Sequence, residues 1–234
     1  MALPVIDTPK YSAKIPSTGK SVVYRPYLVK EEKILMIALE SENQEQILTA
    51  IKDIIHACTY EKVNVDDLAA FDLEYLFLKL RSKSVGETSK IGLRCKSCDK
   101  TNEIEIDVNS IEVNMDNAVD TKIMLTDSVG MTLRYPTVKD IQKLTDMKEG
   151  VDQIMRTIVV CIDNIFDDDK VYPAIDSTPK ELEAFIDTLN SDQFKKIQNF
   201  FESMPTLKHD VKFMCEHCGT PNEFELKGLA NFFG

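Results

Sequence analysis

Four of the six cysteines stand in two short pairs, Cys95-Lys-Ser-Cys98 and Cys215-Glu-His-Cys218. A Cys-x-x-Cys turn presents two thiolates together, and two such turns supply the four sulfurs of a closed tetrahedral zinc site. Four thiolates leave no coordination position for water. The chemistry expected of Cys95, Cys98, Cys215 and Cys218 is therefore structural Zn2+ binding, not catalysis. Redox chemistry is the rival reading. A thioredoxin-type pair opens a helix, whose N-terminus lowers the thiol pKa. Here Asp99-Lys-Thr-Asn-Glu-Ile and Gly219-Thr-Pro-Asn-Glu-Phe lead into alternating, strand-like residues instead, and redox work needs one active pair rather than two copies. His217 lies inside the second pair where the first has Ser97, which marks it as an exposed turn residue rather than a ligand. Cys58 and Cys161 stand alone on helical apolar patterns and are expected in the core.

The two pairs belong to an internal repeat. At an offset of 120 residues, Cys95, Cys98, Asn102, Glu103 and Glu105 match Cys215, Cys218, Asn222, Glu223 and Glu225 without a gap. Ile91 and Leu93 precede one pair as Val211 and Phe213 precede the other, and Ile104 and Ile106 follow as Phe224 and Leu226 do. This alternation predicts strand, turn, strand in each copy, a zinc knuckle with its cysteines at the hairpin tip. Between Cys98 and Cys215 lie 116 residues. Closing a flexible loop of that length costs on the order of 4 kcal/mol, against about 10–16 kcal/mol contributed by a structural zinc. The metal term wins. The spacing is satisfied by a clip within one chain or by a bridge between two.

The remaining elements must carry these hairpins. Tyr11–Ile15 and Ser21–Arg25 are predicted to pair around a Ser17-Thr-Gly19 turn. Gly19-Lys20-Ser21 resembles the end of a phosphate-binding loop, but position 14 is Lys14 rather than Gly, and a proline-broken strand follows where a helix is required. From Val29 the pattern is helical, and Ile47, Leu48, Ile51, Ile54, Ile55 and Cys58 mark an amphipathic helix. His56 falls within it as a structural histidine. Leu68–Ser82 is another helix, its Phe71, Leu73, Leu76, Phe77 and Leu80 read as core. Lys122–Thr126 and Met131–Tyr135 form a predicted hairpin, and Thr137 with Asp140 opens a helix. Further helices are predicted over Val151–Ile165, after Ser177-Thr-Pro179, and from Ser191. The acidic run Phe166-Asp-Asp-Asp-Lys170 lacks the alternation and distal Glu of an EF-hand, and reads as a solvated loop. With only His56, His209 and His217 available, no Ser/His/Asp or Cys/His constellation emerges.

Composition sets the class. The 234 residues carry 39 acidic against 28 basic side chains, a net charge of −11, which argues against binding nucleic acid by bulk charge. A chain of this length buries enough surface to fold without a staple. Its longest wholly apolar run, Ile34–Leu39, is too short to span a bilayer, and the start Met-Ala-Leu-Pro-Val-Ile-Asp-Thr-Pro does not read as a signal peptide. The expectation is a chain made in a reducing cytoplasm. Its fold class is α+β: helical bulk with short β-hairpins, two of them zinc knuckles forming a split zinc-ribbon-like unit. The expected organisation is an N-terminal hairpin plus helical region over 1–86. A zinc-ribbon-like β unit follows over 87–234 (87–135 and 205–226), with a helical insertion at 136–204.

Long runs of mixed residue types add a resemblance. Leu3-Pro-Val-Ile-Asp-Thr-Pro-Lys-Tyr, Pro16-Ser-Thr-Gly-Lys20, Arg25-Pro-Tyr-Leu-Val-Lys-Glu-Glu-Lys-Ile-Leu35 and Phe71-Asp-Leu-Glu-Tyr-Leu-Phe-Leu-Lys-Leu-Arg-Ser82 are similar to baseplate hub proteins of T4-like tailed phages. The Cys-x-x-Cys ahead of Ile111–Val113 fits the same family. The resemblance covers most of residues 3–115. It implies a non-enzymatic structural or assembly protein of the central baseplate hub, made in the host bacterial cytoplasm and located in the virion tail. That family includes both hub subunits and hub-assembly factors. The implied partners are other hub and tail proteins, further copies of the chain included, with neither membrane nor nucleic acid among them. The competing function is a zinc-ribbon nucleic-acid-binding module, for which Arg94, Lys96 and Lys100 are opposed by Glu103, Glu105 and Asp107; a thiol oxidoreductase ranks below it.

Overall fold

Alternating apolar runs become strands and 3.6-residue runs become helices along most of the chain. The computed structural model describes residues 6–115, 120–145 and 150–229; Leu3, Pro4 and Val5 of the phage-like run lie outside them. In chain order come strands β1 (Tyr11–Lys14) and β2 (Ser21–Tyr24), then helices α1 (Val29–Glu40), α2 (Gln44–Cys58) and α3 (Ala70–Ser84). Strands β3 (Thr88–Arg94), β4 (Thr101–Asp107), β5 (Glu112–Asn114), β6 (Lys122–Met124) and β7 (Gly130–Leu133) follow. Helices α4 (Val138–Thr145) and α5 (Val151–Cys161) lead to strands β8 (Ile162–Phe166) and β9 (Val171–Pro173). Helices α6 (Pro179–Asp187) and α7 (Ser191–Glu202) precede the closing strands β10 (Thr206–Met214) and β11 (Pro221–Lys227). The chain divides into two units, 1–114 with 206–234, and 115–205.

The first unit holds both cysteine hairpins. The boundary expected at residue 86 falls inside it, because the hairpins pack with α3. Leu78 of α3 is buried with Ile91 and Ile106 of one hairpin and Leu207, Val211 and Leu226 of the other. β10 also pairs with β5, so β11, β10 and β5 form a three-stranded sheet. The core reading of α3 holds: Phe71, Leu73, Leu76, Phe77 and Leu80 are all buried. Cys58 lies at the buried end of α2, which Asn43 caps by accepting from the Glu45 and Gln46 amides at 2.9 and 3.1 Å. The β1–β2 turn is anchored on α3, where Asp72 accepts from both the amide and the hydroxyl of Ser17. A strand, not a helix, follows Gly19-Lys20-Ser21, in keeping with the rejected phosphate loop.

The second unit is a four-stranded antiparallel sheet, β6-β7-β8-β9, packed on helices. Met131 and Leu133 from the sheet are buried with Ile158 of α5, Ile186 of α6, and Ile197 and Phe200 of α7. Two expectations change here. The helix read as Val151–Ile165 stops at Cys161, and Ile162–Phe166 is a strand. The apolar positions Ile162, Ile165 and Phe166 extend the helical spacing of α5, and pairing of Ile162 with Leu133 and Ile165 with Met131 makes the segment a strand. The Lys122–Leu133 hairpin, placed with the cysteine hairpins from sequence, pairs instead with β8, so the insertion at 136–204 is not wholly helical. Gly130 is required at that junction, since a Cβ there would run into the Phe166 ring and the Ile123 carbonyl. The predicted cap is in place, Asp140 accepting from the Thr137 amide at 2.9 Å, and the helix expected after Ser177-Thr-Pro179 opens on a reciprocal box of Thr178 and Glu181 that was not read from sequence. The acidic run at 167–169 is the turn between β8 and β9, with Asp167 accepting from the Asp169 and Lys170 amides.

Both units open with the same device. In the first, the Arg25 amide donates to the Cys58 carbonyl at 3.0 Å, and its guanidinium donates to the Pro26 carbonyl and Glu31, each at 2.9 Å. Glu31 in turn caps α1 by accepting from the Leu28 amide at 2.8 Å. In the second, the Arg134 amide donates to the Cys161 carbonyl at 2.8 Å. Its guanidinium donates to the Tyr135 carbonyl at 3.3 Å and to Asp140 at 2.6 Å. Hairpin, arginine clasp and a helix ending in a buried cysteine thus occur twice. The Arg25 to Arg134 offset is 109 rather than 120.

Candidate metal centre

The two cysteine hairpins fold alike, as their matched sequences require. β3 and β4 pair from Thr88↔Asp107 to Arg94↔Thr101, and β10 and β11 pair from Lys208↔Lys227 to Met214↔Pro221. At each tip the first cysteine's carbonyl accepts from the residue after the second: Asp99 N–H to Cys95 at 3.0 Å and Gly219 N–H to Cys215 at 2.8 Å. That turn needs a left-handed residue, at φ 57° for Asp99 and 72° for Gly219. Asp and Gly are among the few residues that tolerate it.

The tips bring Cys95, Cys98, Cys215 and Cys218 of one chain together, all four sulfurs within 4.8 Å of one another. Cys95 Sγ lies 3.7 Å from Cys218 Sγ, and Cys98 Sγ 3.7 Å from Cys215 Sγ. A tetrahedron with metal–sulfur bonds of about 2.3 Å has sulfur–sulfur edges of about 3.8 Å. The two cross-hairpin distances match that edge, and the four sulfurs lie close enough together to hold one metal ion. Donors around the cluster favour thiolate. The Cys98 and Ser97 amides draw Cys95 down to about 6, and the Thr220 hydroxyl and amide lower Cys218. Cys98 is held up to about 11; the Lys100 amide favours its thiolate, but burial and the neighbouring sulfurs of Cys218, Cys215 and Cys95 outweigh it. A cation among the sulfurs relieves that repulsion. By contrast, burial pushes the Cys58 thiol up to about 11 and Cys161 up to about 12; neither is a reactive thiol.

A family model described as T4 bacteriophage base plate protein matches residues 8–234. The chain belongs to that family. No curated protein and no solved structure matches it. In this base plate protein the residues that lock the centre are Asn102 and Asn222, whose match in the repeat carried no assigned role at the level of sequence. Each is buried and reaches across to the other hairpin: the Lys96 amide donates to Asn222 Oδ1 at 3.0 Å, and the Glu216 amide donates to Asn102 Oδ1 at 2.9 Å. Each amide nitrogen donates back to its own turn, to the Lys100 and Thr220 carbonyls at 3.1 and 2.9 Å. Asn222 Nδ2 also lies 3.4 Å from Cys95 Sγ. The signal was present: Asn102 shares a strand face with Ile104 and Ile106, and a repeated polar residue on an apolar face needs a partner. His217 is exposed, its Nε2 3.2 Å from the Thr101 carbonyl.

Proposed function

We propose that this chain is a non-enzymatic structural or assembly component of the central hub of a phage baseplate, held together by one structural zinc. Cys95, Cys98, Cys215 and Cys218 are the ligands, and the two hairpins make a split zinc-ribbon-like unit. The carrying observation is the pair of 3.7 Å sulfur–sulfur distances across the hairpins, in a chain whose family is that of a base plate protein. All-sulfur tetrahedral donor sets suit zinc, and their second-shell hydrogen bonds orient the ligands. The asparagine exchange supplies such bonds. The partners are other hub and tail proteins, and the location is the virion tail. Among the described residues no helix is long and apolar enough to cross a membrane.

The nucleic-acid reading loses support at the hairpins, where lysines are spent on nearby acids. Lys90 pairs with Glu103 and Lys212 with Glu223, both at 2.7 Å, and Lys208 with Glu225 at 3.7 Å. Lys96 donates to the Glu223 carbonyl at 2.6 Å and lies over the Phe224 ring. A phosphate-binding surface needs free cations. The redox reading fares no better, since strands follow both pairs.

Metal analysis of chain purified without chelator is the direct test. About one zinc per chain is expected for a site of four cysteine ligands; none would overturn the assignment. Baseplates that form normally in a phage lacking the chain would overturn the assembly role.

A further inference from the structure

The second half of helix α1, Ile34–Leu39, is apolar on every side, and such a stretch belongs in a core. Yet only Glu31 and Ala38 of the helix are buried. Ile34, Met36, Ile37 and Leu39 are 47, 56, 68 and 53% exposed, so the longest apolar run of the sequence is presented to solvent. Between α1 and α2 lies a groove of about 420 Å³ lined by the apolar Ile34, Ile37, Ala38 and Ala50 together with the acidic Glu45 and Asp53. The helix ends on Glu40 with no basic residue in its last turn, leaving its negative dipole end unopposed. Contiguous exposed apolar surface of this kind marks an interaction site.

We infer that the α1–α2 groove docks an amphipathic helix of another protein, one that carries Lys or Arg beside its apolar stripe. Helix-in-groove recognition places anchors at i, i+3 and i+4, the spacing of Ile34, Ile37 and Ala38 on the groove's own wall. Charge selects the occupant. Glu45 and Asp53, both on α2, line the groove, and no basic side chain is among its described lining residues. A second copy would bring another chain of charge −11 against that acidic lining, and like charges in contact disfavour association. The inference rests on the assembly role and is independent of the metal.

The test uses the full chain and two synthetic helical peptides with the same leucine stripe, one flanked by lysine and one by glutamate. Fluorescence anisotropy should show the lysine peptide binding, more weakly as salt rises, with the glutamate peptide at least about tenfold weaker. Ile37→Asp should weaken the lysine peptide by about tenfold or more with the melting profile unchanged, because Ile37 makes little core contact. The exposed pair Glu45→Lys/Asp53→Lys should transfer preference to the glutamate peptide, which keeps the test decisive if Ile37→Asp misfolds. Equal binding of both peptides, or none, overturns the inference. So does a wild-type dimer in sedimentation that Ile37→Asp dissociates, which would make the occupant a second copy. Peptide failure leaves a baseplate requirement for the chain intact, whereas dispensability in baseplate formation removes the assembly role without touching peptide binding.

Discussion

The two halves of the chain begin alike and end alike, but they dispose of their endings differently. Each starts with a hairpin, an arginine clasp and a helix that finishes in a buried cysteine; each finishes with a Cys-x-x-Cys hairpin. The first half keeps its cysteine hairpin against its own helix α3. The second half gives its hairpin up to the first unit. The apolar face of β10 and β11 is shared with Leu78, Ile91 and Ile106, and the tip is held by two reciprocal asparagine bonds that set its two sulfurs beside those of the first hairpin. Sequence proximity is therefore a poorer guide to partnership here than chemical matching between distant copies.

Breaking the shared centre should have the largest effect. If the proposed zinc is bound, Cys95→Ser and Cys215→Ser should each release it and destabilise the first unit by several kcal/mol, because metal binding energy is folding energy in such sites. The second unit contributes no cysteine to the cluster and should keep its own transition in calorimetry. Equal loss from both units would show that the halves are less independent than their separate cores suggest.

The clasps should rank next, and unequally. The Arg25 and Glu31 side chains are 12 and 5% exposed, whereas Arg134 is 39% exposed. Arg25→Ala leaves the buried Glu31 carboxylate with the Leu28 amide and the exposed Lys30 at 3.4 Å and should cost about 3 kcal/mol. Arg134→Ala removes a more exposed guanidinium, and Asp140 keeps both the amide and the hydroxyl of Thr137, so it should cost about 1 kcal/mol. Burial alone would raise Glu31 and Asp140, but the arginines, with the Leu28 and Thr137 donors, hold both below the ordinary carboxylate range. Lowered folded values stabilise the protein above the unfolded carboxylate pKa, about 4, and that contribution fades as pH falls through the lower folded values. Denaturant midpoints from pH 7 to 3 should show the wild-type advantage over Arg25→Ala shrinking in acid.

Smaller effects compare the hairpins directly. Asn102→Ala and Asn222→Ala should weaken metal affinity by about 10–100-fold, Asn222 the more, since it also touches Cys95; competition with a chromogenic chelator reads this. Smallest of all is the left-handed turn residue. Asp99→Gly should add roughly 0.5 kcal/mol, and Gly219→Ala should cost about 1 kcal/mol, because a Cβ at Gly219 meets nothing and only the backbone objects. Thermal melts of the two variants should move in opposite directions.

Much of this was legible beforehand for identifiable reasons. The cysteine hairpins showed through a gapless repeat, α2 and α3 through an unambiguous helical period, and α6 through its Thr-Pro start. The strand Ile162–Phe166 did not, because Ile162, Ile165 and Phe166 continue the apolar spacing of the preceding helix until a neighbouring strand is known. The arginine clasp was hidden by register: its copies are 109 apart while the cysteines are 120 apart, so one gapless comparison cannot align both. The asparagines were visible as matches, but their cross-hairpin bonds depend on tertiary pairing that no local pattern encodes.

One ladder has a practical consequence. β5 ends at Asn114 and β10 begins at Thr206, and these two residues face each other across an antiparallel pair. Directly opposed residues in such a pair are about 4.5–5.5 Å apart, so everything between them leaves and returns through a single doorway. The second unit is in effect a cassette. A tight turn joining Asn114 to Thr206 would convert the ladder into an ordinary hairpin and leave the sulfur cluster with all four donors, while a foreign domain spliced at the same doorway would inherit a ready-made mount.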